Sequence, residues 1–265
     1  MGSSPMDFKR ALFDPRTGIP GRPREHINLI TSVIDGSAVY GSDETRANFL
    51  RAFEGGRLKT FRNETRRSRI LPPLNTAGFD NEGNDRFNAG SLFICGDLRA
   101  NEQLTLFSLH TLFVREHNRL CRVIQRKYPA ANDEQIYQLA RKIVGMEIQK
   151  ITYEEWLPAF LGPMAPRLGN YRGYNPNIDV GIAAEFSGAA FRFGHSMLSG
   201  RVELVKKDGS IVRRPLRDAF FNHEFAKAKP FRVDQVLQGL TQHSAQEIDT
   251  FIVEDVRSFL FGRPG

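Results

Sequence analysis

The chain has 265 residues, of which 40% are hydrophobic and 25% are charged, and it carries a formal net charge of +7. This apolar content excludes a disordered chain and is enough for a sizeable core. No window approaches the roughly 18 uninterrupted apolar residues of a membrane-spanning helix, and the N-terminal sequence MGSSPMDFKR lacks the apolar centre of a signal peptide. Two cysteines, Cys95 and Cys121, are too few for a disulfide framework.

The first hundred residues are predicted to be largely irregular. Residues 1–26 are rich in glycine, proline and arginine and predict an irregular leader. A helix is predicted from the N-cap residue Ser42 to the glycine pair Gly55-Gly56. Residues 57–98 are rich in turn signals, and a loop of that length is usually functional or wraps around a scaffold.

The middle of the chain has the apolar period of amphipathic helices. One helix is predicted over 101–128, stopped by Pro129, and a second from Asn132 to just before Pro158. A third is predicted over 179–198, where alanine and phenylalanine are frequent. The apolar stripe of the first helix is formed by Leu106, Leu109, Leu112, Phe113, Leu120 and Val123.

The last third predicts one small sheet and two short helices. The sequence VELVKKDGSIVRR alternates around Asp208-Gly209, which is typical of a β-hairpin. Short helices are predicted near 233–242 and 247–260. The predicted fold class is therefore mainly α with one small β-hairpin.

Several common chemistries have no motif here. The sequence contains no GxxxxGK[ST] phosphate loop, no Rossmann GxGxxG, no HExxH, no CxxC and no GxSxG. The six histidines form no close pair, which argues against a zinc site. Positive charge is densest over 57–69 and 206–217, but neither stretch carries a nucleic-acid motif, so a solvated face is favoured there.

The segment GDLRANE, just before the predicted long helix, carries opposite charges. Arg99 and Glu102 are three residues apart and would share a face in helical geometry. An exposed ion pair at a helix start fits this spacing, and so does a fixed cation beside a carboxylate at the rim of a pocket. The spacing alone leaves both interpretations open.

The segment AFRFGH ends the predicted third helix with His195. The small residues before it would let another body approach the backbone closely. A histidine on such a face is a candidate axial ligand of a flat cofactor, although a hydrogen-bonded core histidine is the commoner explanation.

A third group of polar residues alternates in TSVIDGS. A hydroxyl, a backbone carbonyl, a carboxylate and a second hydroxyl are offered at every other position, which suits a hard cation such as calcium. One carboxylate is few for calcium, and a Ser/Thr turn fits equally well. The four positions are Thr31, Val33, Asp35 and Ser37.

Taken together and in this order, these segments resemble the animal-type haem peroxidase superfamily. The resemblance is carried by INLITSVIDGSAVYGSDE, GDLRANEQLTLFSLHTLFVREHNRL, ARKIVGMEIQKITYEEWLPAFLG, AFRFGH and IDTFIVEDVRSFLFGRPG, and it covers nearly all of 8–265. It implies a haem peroxidase helical core over 27–265 that is incomplete at both ends.

The resemblance implies a role for each matching residue. Arg99 matches the distal arginine that helps to polarise peroxide, and Glu102 the carboxylate that forms an ester with a haem methyl group. His195 matches the axial ligand of the haem iron, and Arg192 a cation near the porphyrin. Gln103 stands where some members have a methionine that makes a sulfonium link, so that link is not expected. The calcium ligands would be Thr31, Val33 through its carbonyl, Asp35 and Ser37.

The resemblance also has departures. The family's distal histidine, a neighbouring glutamine and a second haem-linking aspartate belong to an earlier segment, and no HDxD-like stretch occurs in residues 1–30. The asparagine that hydrogen-bonds the proximal imidazole would follow Gly265. We therefore expect a fragment or truncated product whose distal histidine comes from a complementary segment or chain.

The implied function is a haem-dependent peroxidase that uses hydrogen peroxide to oxidise halide or small organic donors. Its cofactors would be haem b and calcium, with no nucleic-acid partner and no membrane span. An extracellular or luminal location is implied by the family, and Asn63 begins one glycosylation sequon. Two alternatives stay open: a fatty-acid dioxygenase of the same superfamily, against which Glu102 argues, and an inactive haem-binding or scaffold fragment.

Overall fold

The computed structural model describes residues 11–62, 70–83, 88–166, 169, 171–222 and 232–261. The first ten residues of the predicted leader and the sequon at Asn63 lie outside this part. The chain divides into two compact units. The helical unit comprises Thr31–Val180 and Phe221–Val233, and the hairpin unit comprises Met1–Ile30, Gly181–Phe220 and Asp234–Gly265. The domain boundary predicted after residue 26 stays a prediction.

The helical unit is built around two long helices joined by a short turn. Its helices are α1 (Ser37–Tyr40), α2 (Glu44–Leu50), α3 (Leu104–Lys127), α4 (Asp133–Lys150) and α5 (Leu157–Leu161), with a π-helical turn over Ile151–Trp156 and 3₁₀ turns over Ala89–Ser91 and Gly162–Met164. Strands β1 (Phe61–Arg62) and β2 (Ile70–Leu71) form an antiparallel pair. In the described residues of the stretch 57–98, regular structure is limited to these two strands and the 3₁₀ turn Ala89–Ser91, as the turn signals predict.

The hairpin unit contains the predicted β-hairpin. Strand β3 (Arg201–Val205) pairs antiparallel with β4 (Ile211–Pro215), with Val205 opposite Ile211. The remaining elements are α6 (Ala184–Gly188), a 3₁₀ turn over Ala190–His195, a second over Leu216–Ala219, helix α7 (Val233–Leu240), whose first residue belongs to the helical unit, and α8 (Glu254–Phe261). The predicted mainly α fold class with one small hairpin is confirmed.

Two predicted helices have different bounds in the structure. Asp43, and not Ser42, caps α2, because its carboxylate accepts a hydrogen bond from Arg46 N at 2.8 Å. Helix α2 ends at Leu50, and Arg51 turns into extended backbone. The predicted second helix does end before Pro158, because α4 stops at Lys150. Helical backbone nevertheless continues through a π-helical turn, and the proline lies in the first turn of α5, where a helix needs no backbone N–H donor.

The predicted third helix over 179–198 is wrong as a single element. Only α6 is α-helical, and Ala189 leaves helical geometry with φ −130° and ψ −69° before a 3₁₀ turn continues to His195. Gly188 immediately precedes the break, and glycine is a poor helix former because it loses the most backbone freedom on folding.

The core of the helical unit lies where α3 packs against α4. Asn132 and Gln135 form a capping box that fixes the start of α4, and the same helix buries Ile136, Ala140 and Val144.

On α3, the predicted stripe is only partly right. Leu120 is buried, but Leu109, Leu112 and Val123 are exposed, because α3 packs on the side marked by Phe107, Val114 and Ile124.

A fully buried histidine links α3 to the loops around it. The Nε2 atom of His117 lies 2.8 Å from Gly56 O, which can only accept, so this nitrogen carries the proton. The other ring nitrogen, Nδ1, therefore accepts from the Tyr40 hydroxyl at 2.9 Å. Burial lowers the pKa of His117 to about 4, which keeps the imidazole neutral at physiological pH.

We expect the chain to lose stability in acid through this residue. The unfolded chain takes up a proton on His117 near its ordinary pKa of 6.5, whereas the folded chain does so only near 4. The contribution is therefore fully present above pH 6.5 and is lost as the pH falls towards 4, by up to ~3 kcal/mol. Urea unfolding across this pH range measures the free energy of unfolding.

The variant His117→Gln is the control, because an amide can still donate to Gly56 O and accept from Tyr40 without titrating. The free energy of unfolding of this variant should depend less steeply on pH between 6.5 and 4. Identical pH dependence in the two proteins would show that His117 does not carry the effect.

Candidate functional site

Within the helical unit, the predicted calcium loop and the segment that carries Arg99 lie side by side. Gly96 makes this approach possible: a Cβ atom there would sit 2.6 Å from Gly41 N and closer still to Ser37 O. The next residue, Asp97, donates its backbone N–H to Ala38 O at 3.1 Å. Any side chain at position 96 would force these two segments apart.

The Arg99 guanidinium is held by a carboxylate two residues earlier in the chain. Its Nε lies 3.0 Å from Asp97 Oδ1, and its second nitrogen, Nη2, lies 2.7 Å from Oδ2. Asp97 Oδ1 also accepts from Arg99 N at 2.8 Å. The arrangement is a two-point fork with a nearly buried acid, 12% exposed, and a cation that is 55% exposed.

The charges of this pair are fixed at physiological pH. Burial works to raise the pKa of Asp97, but its hydrogen bonds with Arg99 and the charge of that residue outweigh burial and hold the pKa below its usual value. Hydrogen bonding to Asp97 raises the pKa of Arg99, and the negative charge of Glu102 adds to this effect. Arg99 therefore offers a permanent positive charge that is fixed on one side and open on the other.

The pairing of Arg99 with Glu102 on one helical face, considered from spacing, is wrong. Residues 97–102 form turns, and α3 begins only at Leu104. Glu102 N donates to Arg99 O at 2.8 Å, so the two residues close a turn through their backbones. Gln103 caps α3, since its Oε1 accepts from Thr105 N at 2.9 Å.

The predicted calcium loop is a chain of local hydrogen bonds. Val33 N donates to Thr31 Oγ1 at 3.2 Å, Asp35 N donates to Val33 O at 3.1 Å, and Ser37 N donates to Asp35 Oδ1 at 2.9 Å. Three of the four predicted positions thus present an acceptor oxygen to the backbone: Thr31 Oγ1, Val33 O and Asp35 Oδ1. These oxygens suit a hard cation, although a calcium ion takes about six to eight ligands, so the loop supplies only part of a site.

His195 lies in the hairpin unit at the end of the 3₁₀ turn Ala190–His195. Its position is fixed by the residue that follows: the buried Ser196 donates its hydroxyl to Phe193 O at 3.0 Å and accepts from Asp249 N at 3.3 Å. The imidazole of His195 itself is half-buried and makes no hydrogen bond to any residue in the described part of the chain.

The surface beside His195 is apolar and uncovered. Phe186 and Phe191 stack at 5.2 Å between ring centroids, yet they are 48% and 52% exposed. A Cβ at Gly188 or Gly194 would meet no atom within 4 Å. Arg192 is exposed and donates from Nε to Ser187 O at 3.1 Å. A half-buried imidazole with no hydrogen-bond partner among the described residues, preceded in the chain by exposed small and aromatic residues, is compatible with an axial ligand of a planar cofactor.

Two residues near Arg99 were not singled out from the sequence as site residues. Asp97 was overlooked because a lone carboxylate before an arginine has no distinctive signal, although the GDLR spacing allows the fork. His110, on α3, is buried and lies 3.1 Å through Nδ1 from Ala38 O. Burial lowers its pKa, and the charge of Asp97 partly counters this, so His110 belongs electrostatically to the same turn.

The chain belongs to the animal haem peroxidase family, whose sequence model matches residues 1–265. Among curated relatives, Peroxinectin A of Dictyostelium discoideum is 36% identical over 98% of this chain and 47% of its own length. A human Peroxidasin homolog is 39% identical over 82% of this chain but 15% of its own length. The chain thus spans at most about half the length of these relatives.

Solved structures agree with the family. Peroxidase A from Dictyostelium discoideum superimposes with a TM-score of 0.82 at 34% identity, covering 99% of this chain and 49% of that one. A fatty acid alpha-dioxygenase from Oryza sativa matches with a TM-score of 0.61 at 19% identity, which shows a shared fold alone.

The described part of the chain contains neither a membrane-spanning helix nor a cluster of metal-binding side chains. None of its helices combines the length and the apolar character that crossing a bilayer requires. No group of three or more histidine, cysteine, aspartate or glutamate residues is arranged to hold a metal ion there. Both cysteines are free and buried.

Proposed function

We propose that this chain is the haem-binding part of a peroxidase that reduces hydrogen peroxide and oxidises a halide or a small organic donor. The observation that carries the proposal is the half-buried His195 imidazole, which has no hydrogen-bond partner among the described residues and stands beside an uncovered face of glycine, alanine and phenylalanine. In the overall reaction peroxide takes up two electrons and two protons and gives two waters. The donor supplies the electrons.

His195 would hold haem b through its iron. When bound, the haem supplies the redox chemistry, and the protein supplies the ligand and the surrounding charges. The uncovered rings of Phe186 and Phe191 and the open space above Gly188 offer the apolar contact that a porphyrin plane requires. Arg192, exposed close by, would pair with a haem carboxylate.

Arg99 would act on peroxide. A guanidinium cannot lose its proton at physiological pH, so it offers fixed positive charge where negative charge develops as the O–O bond breaks. The fork with Asp97 sets the plane of the guanidinium without using the whole of it, since more than half of the Arg99 side chain is exposed. Asp97 is in this proposal a positioning residue.

Glu102 would form the ester link to the haem, as the family resemblance implies. The side chain of Gln103 caps α3 and contains no sulfur, so we propose no sulfonium link between this residue and the haem. The loop of Thr31, Val33, Asp35 and Ser37 would contribute to a calcium site. Its contact with the Arg99 segment through Gly96 means that calcium would stiffen the same region.

The distal histidine that acts as the proton-transferring base in the family would come from a complementary segment or chain. A secreted or luminal location is proposed from the resemblance to the family.

We expect haem binding to depend on His195. The haem-free chain titrated with hemin should bind it with a Soret band whose position and intensity depend on this residue. In His195→Gly, the affinity for haem should fall about tenfold or more, because the axial bond is lost. Added imidazole should restore the native spectrum by occupying the vacated position. The matched control is His26→Gly, another histidine of the hairpin unit but fully on the surface.

An unchanged spectrum in His195→Gly would overturn the proposal of His195 as ligand. The same preparation tests the ester. After peroxide treatment, haem should resist acid–acetone extraction in the native chain and be released from Glu102→Gln. Release from both would remove the ester from the proposal and leave axial ligation untouched.

We expect the rate of the reaction with peroxide to depend on Arg99. Stopped-flow mixing of the haem-loaded chain with hydrogen peroxide measures the rate of the first spectral change. Arg99→Gln should lower this rate on the order of a hundredfold, as expected when one preorganised charge is removed from a developing anion. Arg99→Lys, which keeps the charge, should recover part of the rate. Arg126→Gln, an exposed arginine in the last turn of α3, is the control. Equal rates in Arg99→Gln and the control would contradict this role.

We expect calcium to stabilise the folded chain through Asp35. Adding calcium to the metal-free chain should raise its melting temperature, because a cation that binds only the folded state stabilises it. Asp35→Asn should abolish the increase by removing the one carboxylate of the loop. Asp208→Asn, in the turn between β3 and β4, removes an exposed carboxylate elsewhere and should leave the increase unchanged. The loop is not a calcium site if Asp35→Asn still responds fully.

A further inference from the structure

His110 is a buried histidine of the helical unit that the proposed function does not use. It lies in the second turn of α3, and 8% of the residue is exposed. Its Nδ1 atom lies 3.1 Å from Ala38 O. Because a carbonyl oxygen can only accept, Nδ1 carries the proton and donates this hydrogen bond. The ring makes no other hydrogen bond to the residues that the structure describes.

The carbonyl of Ala38 accepts a second hydrogen bond, and this one leads to Arg99. The backbone N–H of Asp97 donates to the same oxygen, also at 3.1 Å. The carboxylate of Asp97 in turn holds the Arg99 guanidinium in a two-point fork. A carbonyl oxygen has two lone pairs, so it can accept from both donors at once. His110 and Asp97 are therefore joined through a single atom, although they belong to different segments of the chain.

The position of Ala38 O depends on contacts from outside α1. This helix is a single turn, Ser37–Tyr40, without a side-chain cap, and so short a helix is not stable by itself in water. His110 donates to the carbonyl of Ala38. Seven residues further along α3, His117 accepts from the Tyr40 hydroxyl. Residues at this spacing share a face of a helix, so two histidines on one face of α3 hold α1 in place.

The donor in this arrangement is neutral, which is important beside an ion pair. Burial lowers the pKa of His110, and the positive charge of Arg99 acts in the same direction. The ring is therefore uncharged at physiological pH. A neutral donor leaves the Asp97 carboxylate to Arg99, whereas a cationic donor at this position would attract the carboxylate and repel the guanidinium.

We propose that His110 is a positioning residue for Arg99. By holding Ala38 O, it fixes the backbone of Asp97 and thereby the direction of the guanidinium. The inference rests on the proposed function, in which Arg99 acts on peroxide. A shift of Ala38 would be passed on to Asp97, because the two segments are in direct backbone contact at Gly96. A displacement of about 1 Å in a group that acts on the transition state can cost on the order of a hundredfold in rate.

Two variants with side chains of similar size test the proposal. In His110→Asn, the amide N–H can replace Nδ1 and donate to Ala38 O, whereas His110→Leu has no donor. The rate of the first spectral change of the haem-loaded chain with hydrogen peroxide should fall about tenfold in His110→Leu and stay within about threefold of the native rate in His110→Asn. The control is Thr111→Val, which removes a different buried hydrogen bond of α3, from Thr111 Oγ1 to Phe107 O.

Two further measurements need neither haem nor peroxide. NMR of the nitrogen-labelled native chain should show His110 with its proton on Nδ1. The Arg99 Nε–H donates to Asp97 Oδ1, so its exchange with water reports on the fork. This exchange should be faster in His110→Leu than in the native chain and in His110→Asn. Thermal unfolding confirms that the variants fold, and the tautomer of the native chain tests the proposal even if His110→Leu does not fold.

The outcomes separate this inference from the proposed function. In the double variant Arg99→Gln/His110→Leu, the rate should equal that of Arg99→Gln alone, because His110 acts only through Arg99. A further loss in the double variant, equal rates in His110→Leu and Thr111→Val, or a proton on Nε2 instead of Nδ1 would overturn the inference. If Arg99→Gln leaves the rate unchanged, the proposed role of Arg99 fails, and the exchange of its Nε–H alone decides whether His110 positions the guanidinium.

Discussion

The buried imidazole of His117 connects helix α3 by hydrogen bonds to two other segments of the helical unit, and one of these segments supports the backbone that carries Arg99. On one side it accepts from Tyr40, the last residue of α1, and α1 in turn supports the Gly96–Asp97 contact that carries Arg99. On the other side it donates to Gly56 O, in the turn that follows α2. Since the ring has no access to water, both bonds must be made in the folded chain, which gives the loops a fixed reference on α3.

The positive charge of Arg99 is compensated on one side. Asp97 holds the guanidinium in a two-point fork, so the direction of the charge is fixed. A compensated cation of this kind suits a reaction in which negative charge appears only briefly.

In the hairpin unit, His195 has no hydrogen-bond partner among the described residues. The residue after it is held by hydrogen bonds to Phe193 and Asp249, while the imidazole is half-buried and the Phe186 and Phe191 rings are about half exposed. Contiguous exposed apolar surface often marks a place where another molecule binds. The chain belongs to the animal haem peroxidase family and spans about half the length of Peroxinectin A.

The amino-acid sequence alone was enough to predict the family, the long helices α3 and α4 and the hairpin, because these follow from local period, turn chemistry and motif order. It could not predict that Asp97 holds Arg99 in a fork or that Gly96 lets its segment lie against Ser37 and Gly41, since these contacts depend on how the backbone packs. The single helix predicted over 179–198 failed for a related reason: local composition favoured helix, and the break at Ala189 is a matter of backbone geometry that the apolar pattern does not encode. Secondary structure follows largely from residues that are close in the sequence. Which charged groups face each other depends on tertiary packing, which brings together residues that are far apart in the sequence.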